Sequence, residues 1–288
     1  MKQVIITLQG GLGNQLFQYS AGQTIQRLTN LPVLYDCDFA FRSDPYGRKF
    51  ELAPLIPLPQ RAQPYPGQGK GPWRSNLERL QASIEANIMW KQGISALPLR
   101  PLLKAVTWWP ANQVVCRSHF QLIEYLDPDS ITHIRDIMNL PGEDATPNEV
   151  AVHFRLGRDR DASGSAVPQH SGTVISLDYY HQCLRQIRAL PDPPHFRVFS
   201  DLGTIPNDVF EKCDNVILDQ PEPSESPWHA LSRMAACRHF IIGNSTFSWW
   251  AAYLGRAPAK RVYAPKNWLF VNGAPPQRGI FPDTWQRV

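Results

Sequence analysis

Residues 4–36, VIITLQGGLGNQLFQYSAGQTIQRLTNLPVLYD, decide the fold class. VIITLQ (4–9) reads as a short buried strand and LPVLYD (31–36) as a second one. Phe17, Ala21, Ile25 and Leu28 recur at helical spacing and predict a helix from Phe17 to Leu28. Strand, glycine turn, helix and strand make a βαβ opening. The turn holds Gly10, Gly11 and Gly13, but Asn14, Gln15 and Leu16 follow, so it is not the G-x-G-x-x-G turn of dinucleotide folds. Such a turn either faces a phosphate or serves only to bring helix and strand close together. Asn14 has two readings as well: an amide offered to a ligand, or the cap of a helix starting near Gln15.

Outward from this unit, LAPLIPLPQRAQPYPGQGKGPW (52–73) is too rich in Pro and Gly for long helices or central strands and predicts a surface excursion. Residues 75–90 and 119–138 carry looser helical patterns, and LPGEDATPNE (140–149) is the best candidate linker. Beyond it, alternation resumes, with strands expected at 150–154, 195–201, 216–219, 239–244 and 261–265. Helices are expected at 176–190, 228–238 and 245–255. The predicted fold class is α/β: two Rossmann-like lobes with mainly parallel sheets facing a cleft, divided into 1–145 and 146–288.

The 288 residues are 43% hydrophobic and carry a net charge of +4, with Lys and Arg scattered rather than striped. That argues against nucleic-acid binding and suits an anionic small molecule. Five cysteines, without a C-x-x-C pair, indicate neither a zinc site nor a disulfide framework, and reduced thiols fit a cytoplasmic protein. The first residues lack the pattern of a signal peptide, and no stretch approaches the ~20 apolar residues of a membrane helix.

Ligands of open parallel sheets sit beyond the carboxyl ends of strands, and three polar clusters fall there. In VHFRLGRDRD (152–161), His153 and Arg155 lie two apart and project to one side. The Arg155 fork suits two phosphate oxygens, or an ion pair with Asp159 or Asp161. Asp201 ends a strand and either accepts from a base or ribose or caps a helix. Asn244, Ser245 and Thr246 stand at a helix N-terminus suited to phosphate, or provide an ordinary cap. Trp249 and Trp250 read as core.

Taken together, GGLGNQLFQYSAG, SHFQ (118–121), VHFRLGRD, LDYY, VFSD, MAACRHFIIGNSTFSWWAAYLG, APKNW and FPDTW resemble the α-1,2-fucosyltransferases of bacteria and animals, in order along nearly the whole chain. The resemblance implies a GT-B fold and inverting transfer of L-fucose from GDP-fucose to the 2-hydroxyl of a terminal galactose, without a metal or other cofactor. It implies that the first lobe takes the galactose-terminated oligosaccharide and the second the donor. By the same similarity Arg155 holds the pyrophosphate with His153 as its partner, and Asn14, with Gly11 and Gly13, lies near the reacting centre. Asp201, Asn244, Ser245, Thr246 and Phe247 would line the donor site.

The family pattern His-x-Arg-x-Gly-Asp is broken here by Arg158, which moves the first acid to Asp159, a candidate base or support. The acid often found near the start of the helix before Cys237 is missing from WHAL (228–231). Metal-dependent transferases use Asp-x-Asp, and three such triplets occur, at 36–38, 127–129 and 159–161, the first being the least implausible ligand. Rival readings are a transferase of another nucleotide sugar and a non-catalytic carbohydrate-binding protein.

Overall fold

A computed structural model describes every residue except 1, 43, 45, 63–97, 111, 143–146, 155–174, 193, 201–206, 212, 214, 223, 267 and 269–278. The chain divides into two compact units, Met1–Ile134 and Arg135–Val288.

The first unit contains β1 (Gln3–Thr7), α1 (Leu12–Thr29), β2 (Val33–Asp36), α2 (Leu99–Trp108) and β3 (Gln113–Cys116). Its sheet is parallel, in the order β2-β1-β3, with Val4 opposite both Val33 and Val114. Val4 and Ile6 of the central strand are fully buried, as expected of a parallel strand covered on both faces. α1 begins at Leu12, earlier than the spacing of its apolar residues predicts, because Gly11 is its N-cap. It ends at Asn30, whose left-handed backbone (φ 56°) closes the last turn through its N–H to Gln26 O, 2.8 Å. Phe17, Ala21 and Ile25 are fully buried, but Leu28 is 46% exposed: the core-facing stripe stops one turn before the helix does.

The looser pattern at 119–138 resolves into a 3-10 turn, Ile123–Tyr125, and α3, Pro128–Met138, which runs across the division between the units. Pro128 cannot continue a helix from upstream but suits a first turn, and Asp127 Oδ2 accepts the Ser130 N–H at 2.9 Å. α2 and β3 had no expected counterpart. The helix expected at 75–90 and most of the Pro-rich excursion lie outside the described residues; from 52 to 62 the chain makes turns and a short 3-10 helix, Leu58–Gln60.

The second unit contains β4 (Glu149–Phe154), α4 (Leu177–Arg188), β5 (His195–Ser200), α5 (Asn207–Phe210), β6 (Val216–Asp219) and α6 (Pro227–Ala235). β7 (His239–Ile241), α7 (Thr246–Leu254), β8 (Val262–Ala264) and β9 (Gln286–Arg287) complete it. The six strands are parallel in the order β6-β5-β4-β7-β8-β9. Every strand and long helix expected after 149 is present; the short α5 and the edge strand β9 were not foreseen. One core packs Val150, Val152 and Phe154 of β4 against Tyr180, Cys183 and Ile187 of α4, with Val198 and Ile241 from the neighbouring strands. Each unit thus has the parallel α/β build expected of a GT-B-like protein. No helix among the described residues is long and apolar enough to cross a membrane.

Candidate functional site

The glycine turn after β1 is built by side chains that the motif carries within itself. Gly10 has φ +77°, and a Cβ there would stand 2.5 Å from Asn14 Nδ2, so both backbone and space demand glycine. Gly11 caps α1 with no side-chain hydrogen bond, and the first turn holds no acid. The helix therefore brings no carboxylate of its own to the amide ends of that turn, a condition that favours an anion there. Asn14 is not the cap that the sequence allowed. It lies inside the first turn, donates its backbone N–H to Gly11 O at 3.0 Å, and accepts Gln121 Nε2 on its side-chain oxygen at 3.1 Å.

Gln15 and Gln18 are the residues of this motif whose purpose the sequence did not show. Both are fully buried. Gln15 donates to Gly10 O and Lys49 O, each at 2.8 Å, and accepts the Glu51 N–H at 2.9 Å. Gln18 accepts the Gln9 N–H at 2.9 Å and donates to Ser118 O at 3.2 Å. A buried amide without partners is costly; here both amides staple the loop after β1 to the chain after β2 and β3. The usable signal was two glutamines on the apolar side of a helix that should bury that side. Gly22 supplies the close helix–strand approach that the dinucleotide pattern assigns to its third glycine: a Cβ there would meet Tyr35 Oη at 2.4 Å.

In the second unit, β4 lies between β5 and β7, so their carboxyl ends share one edge. That edge brings His153 against the turn after β7. A Cβ on Gly243 would stand 3.0 Å from His153 O and 3.4 Å from His153 Nδ1. Tyr180 donates its hydroxyl to the same carbonyl at 3.0 Å. The rings of His153 and Phe247 are 6.5 Å apart. Ser245 is the N-cap of α7, its hydroxyl accepting the Phe247 N–H at 3.3 Å, so one residue of the polar turn does the ordinary capping. Asn244 and Ser245 are buried, and Thr246 and Phe247 are half-buried. Arg155, Asp159, Asp161 and Asp201 follow the ends of β4 and β5 but lie outside the described residues.

Trp249 and Trp250 are fully buried, as expected of core. Trp249 donates its indole N–H to Ile280 O at 3.0 Å and lies 5.4 Å, ring to ring, from Trp285. The FPDTW segment therefore packs the back of the helix whose front carries the polar turn.

The Asp-x-Asp triplets have other work where they are described. Asp36 accepts the backbone N–H groups of Asp38 and Phe39, at 3.2 and 3.0 Å, and Asp38 pairs with Arg42. Asp127 pairs with Arg27 at 2.7 Å. A pocket of about 270 Å³ borders that pair and includes Tyr19, Gln23 and His133, but it stands at α1 and α3, away from the carboxyl ends of the strands. The acid missing from the first turn of α6 has a neighbour in Glu225, which with Asp219 holds Arg233 of that helix.

The sequence profile described as glycosyl transferase family 11 matches residues 116–270, more than half of the chain. The chain is 27% identical to the O-antigen biosynthesis glycosyltransferase WbnK of Escherichia coli, over 96% of this chain and 98% of that one. It is 24% identical to an alpha-1,2-colitosyltransferase of Escherichia coli, over 100% and 99%. Galactoside alpha-(1,2)-fucosyltransferase 1 of Saimiri sciureus is 28% identical over 48% of this chain and 37% of its own length.

Proposed function

The chain belongs to glycosyl transferase family 11, and from that premise we propose that this glycosyltransferase moves L-fucose from GDP-fucose, with inversion, to the 2-hydroxyl of a terminal galactose. The observation that carries the reading is the edge at which His153 meets the Ser245-capped turn of α7. In inverting transfer the acceptor oxygen attacks the sugar carbon while the diphosphate leaves, so negative charge grows on the β-phosphate. Oriented N–H groups and cations lower that barrier. The N–H groups at the start of α7 and the Arg155 fork, placed one residue after β4, would supply them, with His153 as partner and Asp201 and Phe247 toward the nucleoside. The second unit would bind the nucleotide sugar. The first unit would bind the galactose-terminated acceptor and offer the Asn14 amide to the reacting sugar–phosphate bond.

Colitose in place of fucose is the second reading, favoured by full-length similarity to an enzyme named for that sugar. Melting the purified protein with GDP, UDP or NAD, then assaying GDP-fucose and GDP-colitose on lactose, separates the readings. Selective stabilisation by GDP and an α-1,2-fucosylated product are expected. Stabilisation by UDP alone overturns both readings, and transfer of colitose without fucose selects the second.

A further inference from the structure

Beyond the carboxyl end of β3 the chain turns out two side chains, each with a buried nitrogen that no described residue satisfies. The Arg117 guanidinium lies over the ring of Phe39, its Cζ 4.3 Å from the centroid, and its Nε is buried without an acceptor. His119 Nδ1 is likewise buried and unpartnered. Arg48, on the segment that Gln15 staples to α1, stacks over Tyr46 at 4.4 Å, and its charge acts on His119. Among the described residues neither guanidinium has a hydrogen-bond acceptor or an ion pair. Asp36 is the carboxylate whose charge reaches Arg117, and that side chain is committed to the Asp38 and Phe39 amides. Burial pushes the Arg117 pKa down, and burial with the Arg48 charge lowers that of His119.

Two guanidiniums held on aromatic faces keep their N–H edges turned to the side, and buried donors without acceptors are costly unless a ligand completes them. A guanidinium fork matches the two oxygens of a carboxylate or phosphate. Arg48, Arg117, His119, Phe39 and Tyr46 are all partly exposed, so the cluster opens to solvent although Arg117 Nε and His119 Nδ1 themselves are buried. We propose that Arg48, Arg117 and His119 form an anion-recognition site in the first unit that reads a carboxylate or phosphate borne by the acceptor saccharide. The preferred acceptor is then an acidic glycan, with a neutral one such as lactose held more weakly. This rests on the proposed transfer to a galactose-terminated acceptor only for the word acceptor; the site itself is testable without any donor.

The test compares binding of lactose, lactobionate and lactose 1-phosphate to the donor-free protein by calorimetry and ligand-observed NMR. At least one anionic disaccharide is expected to bind about tenfold tighter than lactose, the lower end of what a charge-assisted hydrogen bond is worth. The tighter of the two tells carboxylate from phosphate. Arg117→Gln and Arg48→Gln should each bring that preference close to one, and Arg117→Lys should retain part of it. Equal binding of all three ligands by the unmodified protein overturns the proposal, as does a preference that survives both glutamine variants. Loss of GDP binding in Arg117→Gln, with anion preference kept, would assign the arginine to the donor and overturns it too. Failure of GDP-fucose turnover alone counts against the proposed reaction and leaves this binding comparison standing.

Discussion

Asn14 shows how one residue's stability and function can be pulled apart. It sits in the first turn of α1, where a negative side chain is favoured by the helix dipole by about 0.3–1 kcal/mol. Its oxygen accepts from Gln121, a contact that a carboxylate keeps. Asn14→Asp is therefore expected to melt at the same temperature as the parent protein or slightly higher. Its turnover should fall at least about a hundredfold if Asn14 stands where the proposed function puts it, because a fixed negative charge there would repel the diphosphate. Thermal melts and steady-state kinetics on this variant check both halves, and an unchanged rate would remove Asn14 from the reaction. Gly10 next to it tolerates no side chain, for two independent reasons: a left-handed backbone and the 2.5 Å approach to Asn14.

At the scale of elements, α7 is clamped at the end opposite its polar turn. Lys260 Nζ donates to Ala252 O and Gly255 O, each at 2.7 Å, and Arg135 Nε to Leu254 O at 3.0 Å. Cations on the last carbonyls both cap the helix and suit its dipole, so the turn at its N-terminus rides on a fixed element. β7, which leads into that turn, carries a pH dependence. His239 is 7% exposed and accepts the Arg261 N–H on Nδ1 at 3.1 Å. Burial, with Arg238 and Arg261 nearby, pushes its pKa down to about 4. Above the ordinary value of 6.5 the side chain is neutral in folded and unfolded chains alike and contributes no slope. Between 6.5 and about 4 only the unfolded chain takes up the proton, so stability falls as the pH falls, by up to about 3 kcal/mol across the window. His239→Asn keeps an acceptor near Nδ1 and cannot titrate. Melting curves from pH 7 to 4.5 should fall less steeply for the variant; parallel curves would refute the assignment.

For the whole molecule, the expectation concerns metal. Asp36, Asp38 and Asp127 are committed to backbone amides or arginines, and the charge of a leaving diphosphate can be met by guanidinium and N–H groups instead. Turnover with GDP-fucose is expected to survive excess EDTA. Loss of activity on chelation, restored by Mn²⁺ or Mg²⁺, would place a ligand in an Asp-x-Asp triplet, with Asp159 and Asp161 the first to replace.

The alternation of apolar runs and helical spacing after residue 149 was enough to place every long element of the second unit, because strands buried in a parallel sheet must be apolar throughout and their helices amphipathic. The same logic placed β1, α1 and β2, and the polar residues at strand ends followed from the fold class. Sequence patterning could not place β3, four residues recognisable only once paired with β1, nor where α1 begins, since a glycine cap leaves no side-chain signature. It did not show what Gln15, Gln18, Arg117 and His119 do, although GGLGNQLFQYSAG and SHFQ carry part of the family resemblance. Whether a polar side chain is satisfied depends on atoms far away in the chain, such as Lys49 O and Ser118 O for the two glutamines. Local pattern determined the elements and the strand ends at which chemistry belongs; only tertiary structure decided which polar groups there are already satisfied, because hydrogen-bond partners are set by packing and not by neighbours in sequence.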